Sequence, residues 1–98
     1  MPIKIGLVGC GAIGAEIAKA VDCGAIDANL VAVCDHNAVT AAALIDSLQH
    51  KPVKAKLEEL VSLSEVIVEA ASQRAVPAIA RAALVKGKKL MIMSVGAL

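Results

Sequence analysis

From Ile3 to Gly9 the chain reads IKIGLVG, a short apolar run closed by glycine, which predicts a buried strand. The period then changes. Ile13, Ile17, Ala20 and Val21 recur at helical spacing over Ala12 to Val21, and Gly24 follows as a stop. Asn29 to Asp35 (NLVAVCD) predicts a second buried strand with an acid at its C-terminal end. Next, Ala41, Leu44, Ile45 and Leu48 mark one face of a second helix, with Thr40 as its expected cap. Lys51 to Lys56 (KPVKAK) alternates lysine with Val53 and Ala55 and carries Pro52, the chemistry of a short edge strand guarded by charge.

A short helix is expected around Leu57, Leu60 and Val61, followed by a strand at Glu65 to Ala70 (EVIVEA). Val76, Ile79, Ala80, Ala83 and Leu84 mark a longer helix that Gly87 ends. At its start, Ser72 could act as the cap, or Pro77 could delay regular hydrogen bonding. Lys89 to Ser94 (KLMIMS) is the fifth strand. Alternating strands and helices call for a parallel sheet covered on both faces. The expected fold is therefore α/β, a doubly wound parallel sheet of about five strands, with residues 1–98 as one domain. Right-handed crossovers, and a polar third strand at one edge, favour the order 3-2-1-4-5.

Composition constrains how such a sheet is filled. The 98 residues are 58% hydrophobic and contain no Phe, Tyr or Trp, so Ala, Val, Ile, Leu and Met must build the core. Small side chains let helices approach the sheet closely. A chain of this size buries roughly two-thirds of its unfolded surface, enough for one core. The apolar fraction, in a chain ending just after a buried strand, leads us to expect an exposed apolar surface near the C-terminus. Net charge is +1, with Lys and Arg scattered, and no aromatic is present to stack on a base, which argues against a nucleic-acid partner. No apolar run approaches the roughly 18 residues needed to cross a bilayer, and the N-terminus lacks a signal peptide's features, so no membrane partner is expected and the cytoplasm is the expected location. Cys10, Cys23 and Cys34 are odd in number and show no C-x-x-C pair, which favours free thiols over a disulfide framework or a zinc site.

The candidate chemistry lies in the first turn. Gly9, Gly11 and Gly14 form G-x-G-x-x-G between a predicted strand and a predicted helix, and Asp35 ends the next strand 21 residues after Gly14. In a dinucleotide site the first glycine makes the turn, the second lets the backbone approach the pyrophosphate, and the third lets the helix close on the sheet. The helix N-terminus offers N–H groups and a positive dipole end to the phosphates. The acid accepts the adenosine ribose hydroxyls, so NAD is the expected cofactor, with NADP possible. Cys10, Ala12 and Ile13 complete the turn. A helix dipole can lower a thiol's pKa, which makes a redox role for Cys10 conceivable; the slot mainly needs a small residue. His36 lies against the adenine or at the surface, and His50 is read as a dipole partner at a helix C-terminus. Ala71, Ser72, Gln73 and Ser94 leave the C-terminal ends of strands four and five, where small side chains would let a nicotinamide ribose lie close.

IGLVGCGAIG, LVAVCD, VEAASQ with AV two residues on, and the terminal MSVGAL together resemble the N-terminal half of the L-aspartate dehydrogenase family, over all 98 residues. EAASQ and MSVGAL are more specific than the glycines; related sugar and inositol dehydrogenases usually carry E-K-P where this chain has Met93-Ser94-Val95. The resemblance implies a Rossmann domain and the oxidative deamination of L-aspartate with NAD or NADP, through iminoaspartate, which can feed NAD biosynthesis. By resemblance, Gly9 to Gly14 hold the pyrophosphate, Asp35 the adenosine ribose, and Ser72, Gln73 and the Ser94 loop flank the nicotinamide half. Some relatives have Arg after the acid, which helps with NADP; here that position is His36. Family members continue into a second α/β domain with the catalytic histidine, most substrate contacts and much of the dimer interface, none of which lies in these 98 residues. No catalytic residue is therefore assigned, and this chain alone is expected to be inactive. Aspartate is expected as a partner only with that second domain, and a homo-oligomer only in the full-length protein. Two alternatives remain: a stand-alone NAD(H)-sensing module, which needs only the glycines and the acid, and the cofactor half of a dehydrogenase with another substrate.

Overall fold

The computed structural model describes residues 2–94. Strand β1 (Ile3–Val8) leads to helix α1 (Ala12–Asp22), β2 (Ala28–Cys34) to α2 (Ala38–Ser47), and β3 (Val53–Lys54) to α3 (Leu57–Leu63). Strand β4 (Val66–Glu69) leads through a single 3-10 turn (Gln73–Ala75) to α4 (Val76–Val85) and then β5 (Lys89–Ile92). The five strands form one sheet in the order β3-β2-β1-β4-β5, every pair parallel, as the alternation of elements required.

Successive strand residues point to opposite faces, and here both faces are apolar. Leu7, Val33 and Val68 pack with Ala18 and Val21 of α1 and with Ala41 and Leu44 of α2. Val8, Ala32 and Ile67 pack with Leu60 and Val61 of α3 and with Ile79 and Ala83 of α4. Burying one side chain such as Leu60 or Ile67 stabilises the fold by roughly 1.5–3 kcal/mol.

The helices differ in detail from their expected faces. Helix α1 buries Gly14, Ala18 and Val21, while Ile13 is 55% exposed. In α4, Ile79 and Ala83 are buried and Leu84 is exposed. In α1 the small Gly14 and Ala18 allow a close approach to the sheet, and Ile13 is turned to the flank. Asn37, not Thr40, caps α2: its side-chain oxygen accepts from the N–H of Val39 (3.0 Å) and of Thr40 (3.3 Å). Ser72 caps no helix, and Pro77 lies in the first turn of α4, where its missing N–H leaves no bond unmade. Lys51, not His50, serves the C-terminus of α2, with Nζ donating to the carbonyls of Ile45, Asp46 and Leu48. His50 instead pairs with Asp22, which also accepts the N–H groups of Gln49 and His50 and so ties the end of α1 to the chain after α2. Those backbone bonds, ahead of the histidine, hold the Asp22 carboxyl below its ordinary value.

Strand β3 is only two residues long, with Val53 exposed and Pro52 and Ala55 buried. At the other edge, Met91 and Met93 are exposed and form the described part of the expected C-terminal apolar surface.

Candidate functional site

The order of the sheet reverses between β1 and β4, so the chain leaves these neighbouring strands towards opposite faces. In an open parallel sheet this opens a crevice beyond the carboxyl ends of the strands. Two cavities lie there and share Ala70, Ala71 and Ser72. One, of about 480 Å³, is bordered by Gly9, Gly11, Asp35 and His36 and floored by Leu57 and Ile79. The other, of about 740 Å³, is bordered by Ile13, Gln73, Arg74, Met93 and Ser94.

Each glycine of the turn meets a different constraint. Gly9 has φ +100°, and a Cβ there would lie 2.6 Å from the backbone of Ala70 and Ala71. A Cβ on Gly14 would overlap the carbonyl oxygen of Gly9, so α1 can sit this close to the turn only without a side chain. A Cβ on Gly11 would meet nothing within 4 Å. Gly11 is also the N-cap of α1, where no side chain caps the helix and no acid lies in the first turn. Ala12 and Ile13 begin that helix, and Ile13 reaches the larger cavity. An uncapped helix N-terminus beside open space suits an external anion.

Asp35 joins this turn to the next. One carboxylate oxygen accepts the N–H of Cys10 (2.7 Å) and the other the N–H of Asn37 (2.8 Å). The N–H of Gly9 meanwhile donates to the Cys34 carbonyl at 2.8 Å. A carboxylate has about four acceptor sites, so Asp35 keeps capacity for further donors. The Cys10 amide is thus already engaged, which sequence spacing could not reveal. The Cys10 side chain is buried in the core, and burial first, then the negative charge of Asp35, pushes its thiol up to about 11. That direction opposes the dipole effect, and Cys10 acts as a small core residue. Burial and Asp35 also raise the Cys34 thiol. His36 stands 3.4 Å from Asp35 with its side chain 99% exposed, so it occupies the rim of the crevice.

The residues after β4 and β5 come together around Glu69, the first residue of EAASQ, to which the motif alone assigns no role. Glu69 ends β4 and is fully buried. It accepts the N–H of Ala71 (2.8 Å), and the N–H (3.2 Å) and hydroxyl (2.7 Å) of Ser94. Its signal in the sequence is an acid inside the apolar run VIVEA, level across the sheet with Cys34, the residue before Asp35. Ser72 and Gln73 are exposed beside it, and residues 95–98 of MSVGAL lie outside the described residues. Among the described residues, no helix is long and apolar enough to cross a membrane, and no three His, Cys, Asp or Glu side chains gather as a metal site.

Residues 9–98 match the family model described as homoserine dehydrogenase, NAD binding domain. The L-aspartate dehydrogenase of Methanocella arvoryzae is 50% identical over 97% of this chain and 35% of its own length. That of Methanosarcina mazei is 48% identical over 98% of this chain and 36% of its own length. The chain thus spans about a third of these curated relatives, less than the half its motifs led us to expect. Among solved structures, myo-inositol dehydrogenase from Lactobacillus casei, in complex with NAD(H) and myo-inositol, superposes with a TM-score of 0.84 at 22% identity, over 94% of this chain and 28% of that one. Biliverdin reductase from Synechocystis gives 0.81 at 23% identity, over 94% and 29%. These two share the fold. The family match begins at the first glycine of the turn and runs through β5, and the chain belongs to the homoserine dehydrogenase NAD-binding domain family, with L-aspartate dehydrogenases among its homologues.

Proposed function

We propose that this chain is the cofactor-binding part of an L-aspartate dehydrogenase. The observation that carries the reading is identity of 50% and 48% to such enzymes over nearly the whole chain. Gly11 and the open N-terminus of α1, from Ala12 to Gly14, hold the pyrophosphate; Gly9 and Gly14 let the backbone close around it. The Cys10 backbone shapes that turn through its bond to Asp35. Asp35 accepts the adenosine ribose hydroxyls with its remaining lone pairs, and His36 borders the adenine. Ile13, Ala71, Ser72, Gln73 and Ser94 flank the nicotinamide half in the larger cavity. Bound there, NAD supplies a two-electron acceptor for oxidising aspartate to iminoaspartate.

Proton management and the grip on substrate belong to the part of the relatives beyond this chain. His36 is at the adenosine end, and His50 is bound to Asp22 beyond the far end of α1. Arg74 borders the larger cavity and can attract a carboxylate, but a guanidinium supplies no base. Residues 1–98 form the dinucleotide-binding domain; a second domain brings aspartate, the catalytic base and homo-oligomer contacts. Free thiols at Cys10, Cys23 and Cys34 suit a reducing cytoplasm.

The test places an NADH-absorbance assay with aspartate beside a cofactor-binding measurement on the same sample. We expect NAD binding without turnover. Turnover on the order of 1 per second or faster would put the catalytic group within these 98 residues. Absence of NAD binding would remove the cofactor reading.

A further inference from the structure

Glu69 is a charge-bearing side chain in an unusual place. It is 0% exposed, and no lysine, arginine or histidine among the described residues pairs with it. Such a group is expensive to bury unless donors surround it. They do: Ala71 N–H meets one oxygen, and Ser94 N–H and hydroxyl meet the other. With donors on both oxygens, the arrangement suits an ionised carboxylate. Its partners are not distant. Ala71 and Ser94 both line the cavity of about 740 Å³, as does Met93, whose N–H donates to the Glu69 carbonyl at 2.8 Å. Glu69 therefore lies one residue layer beneath the floor of that cavity, with no cation paired to it among the described residues.

We infer that Glu69 is an electrostatic positioning residue that makes the site favour the oxidised, cationic nicotinamide ring over the reduced, neutral one. This rests on the assignment of the larger cavity to the nicotinamide half. The two cofactor forms share adenosine, both riboses and the pyrophosphate, and differ by one positive charge on the ring. A buried negative charge below the ring acts on that difference, and fields in a low-dielectric setting are poorly screened. Arg74 also borders this cavity, but it is exposed and its charge is screened by solvent, unlike that of the buried Glu69. Asp35, at the adenosine end, holds both forms alike. A merely structural role for Glu69, clasping the loops after β4 and β5, would also affect both forms alike. The ratio of the two affinities separates these roles.

The experiment measures binding of NAD+, NADH and ADP-ribose to the full 98-residue chain and to Glu69→Gln, which removes the charge at nearly constant shape. The chain has no Trp or Tyr, so NADH fluorescence is read without a protein background. We expect Glu69→Gln to lower the affinity for NAD+ relative to NADH by about tenfold. Asp35→Asn, as the control, should weaken both by the same factor. A folded Glu69→Gln protein whose two affinities change equally, or not at all, overturns the inference and leaves the cofactor reading standing. If circular dichroism shows that Glu69→Gln does not fold, the wild-type chain decides. NAD+ binding more tightly than both NADH and ADP-ribose supports the inference, and NAD+ binding no more tightly than either overturns it. Failure of the wild-type chain to bind any of the three overturns the inference and the cofactor reading together.

Discussion

The turn from β1 into α1 and the turn from β2 into α2 lie side by side at the carboxyl edge of the sheet, and they treat the helix behind them in opposite ways. The first is Gly9-Cys10-Gly11, with no side chain on the N-terminus of α1 and open space at Gly11. The second is Asp35-His36-Asn37, in which Asn37 caps α2 through two N–H groups and Asp35 fixes the Asn37 amide. Both helices begin with the same unmet donors and the same positive dipole end. One turn satisfies them from within the chain, and the other leaves them beside a cavity. The difference teaches where a ligand belongs: a helix that caps itself is complete, and a helix left uncapped next to open space has room for an anion. Asp35 belongs to both turns, since it also holds the Cys10 amide.

The comparison breaks most sharply at Gly14. Gly14→Val should place carbon on the Gly9 carbonyl oxygen, destabilise the fold by about 3 kcal/mol and lower Tm by roughly 15 °C in thermal melts. Retention of the parent Tm would show that α1 does not depend on that close approach. The next largest effect concerns Asp35. A 2′-phosphate beside this carboxylate should make NADP bind about 2 kcal/mol less tightly than NAD, after solvent screening. Calorimetric titration of both cofactors at fixed salt measures it, and Asp35→Asn should bring the two within a few fold. Equal affinities in the parent chain would remove Asp35 from the ribose site.

A pair of smaller changes sharpens the contrast directly. Asn37→Ala should cost about 1 kcal/mol of stability in urea unfolding and leave NAD affinity unchanged, because that cap serves the helix alone. Gly11→Ala should cost only about 0.5 kcal/mol, since its Cβ meets open space, yet weaken NAD binding about tenfold by crowding the pyrophosphate. If both variants affected stability and binding in the same proportion, the two turns would not differ in kind.

The smallest expected effect lies at the opposite end of α1, away from either turn. Bonds from Gln49 and His50 hold the Asp22 carboxyl below its ordinary value of 3.8 in the folded chain. Its contribution is therefore present above pH 3.8 and is lost as pH falls through the lowered folded value. Acid unfolding of the parent chain should show this loss, and Asp22→Asn should be less sensitive to pH in that window. An identical acid profile for the two proteins would mean that the clasp adds no pH dependence.

Much of this was legible along the chain because it depends on local pattern. Strand and helix periods, the crossover rule and the polar third strand led to the observed order of the sheet. The glycine spacing, with Asp35 after β2, falls on residues that border the smaller cavity. What stayed hidden depended on neighbours far apart in sequence. The cap of α2 fell to Asn37 rather than Thr40, and the C-terminus of the same helix to Lys51 rather than His50, because reach and local geometry choose among adjacent polar residues. Helix α1 buried Gly14 and Ala18 and turned Ile13 outward, because closest approach to a sheet, not hydrophobicity alone, selects the packed face. The bond from Cys10 to Asp35 crosses 25 positions, as does the bond from Ser94 to Glu69. Period and spacing are properties of one segment and can be read there. A buried carboxylate such as Glu69 exists only because the folded chain brings Ala71 and Ser94 to its two oxygens, and that meeting was decided by the tertiary structure.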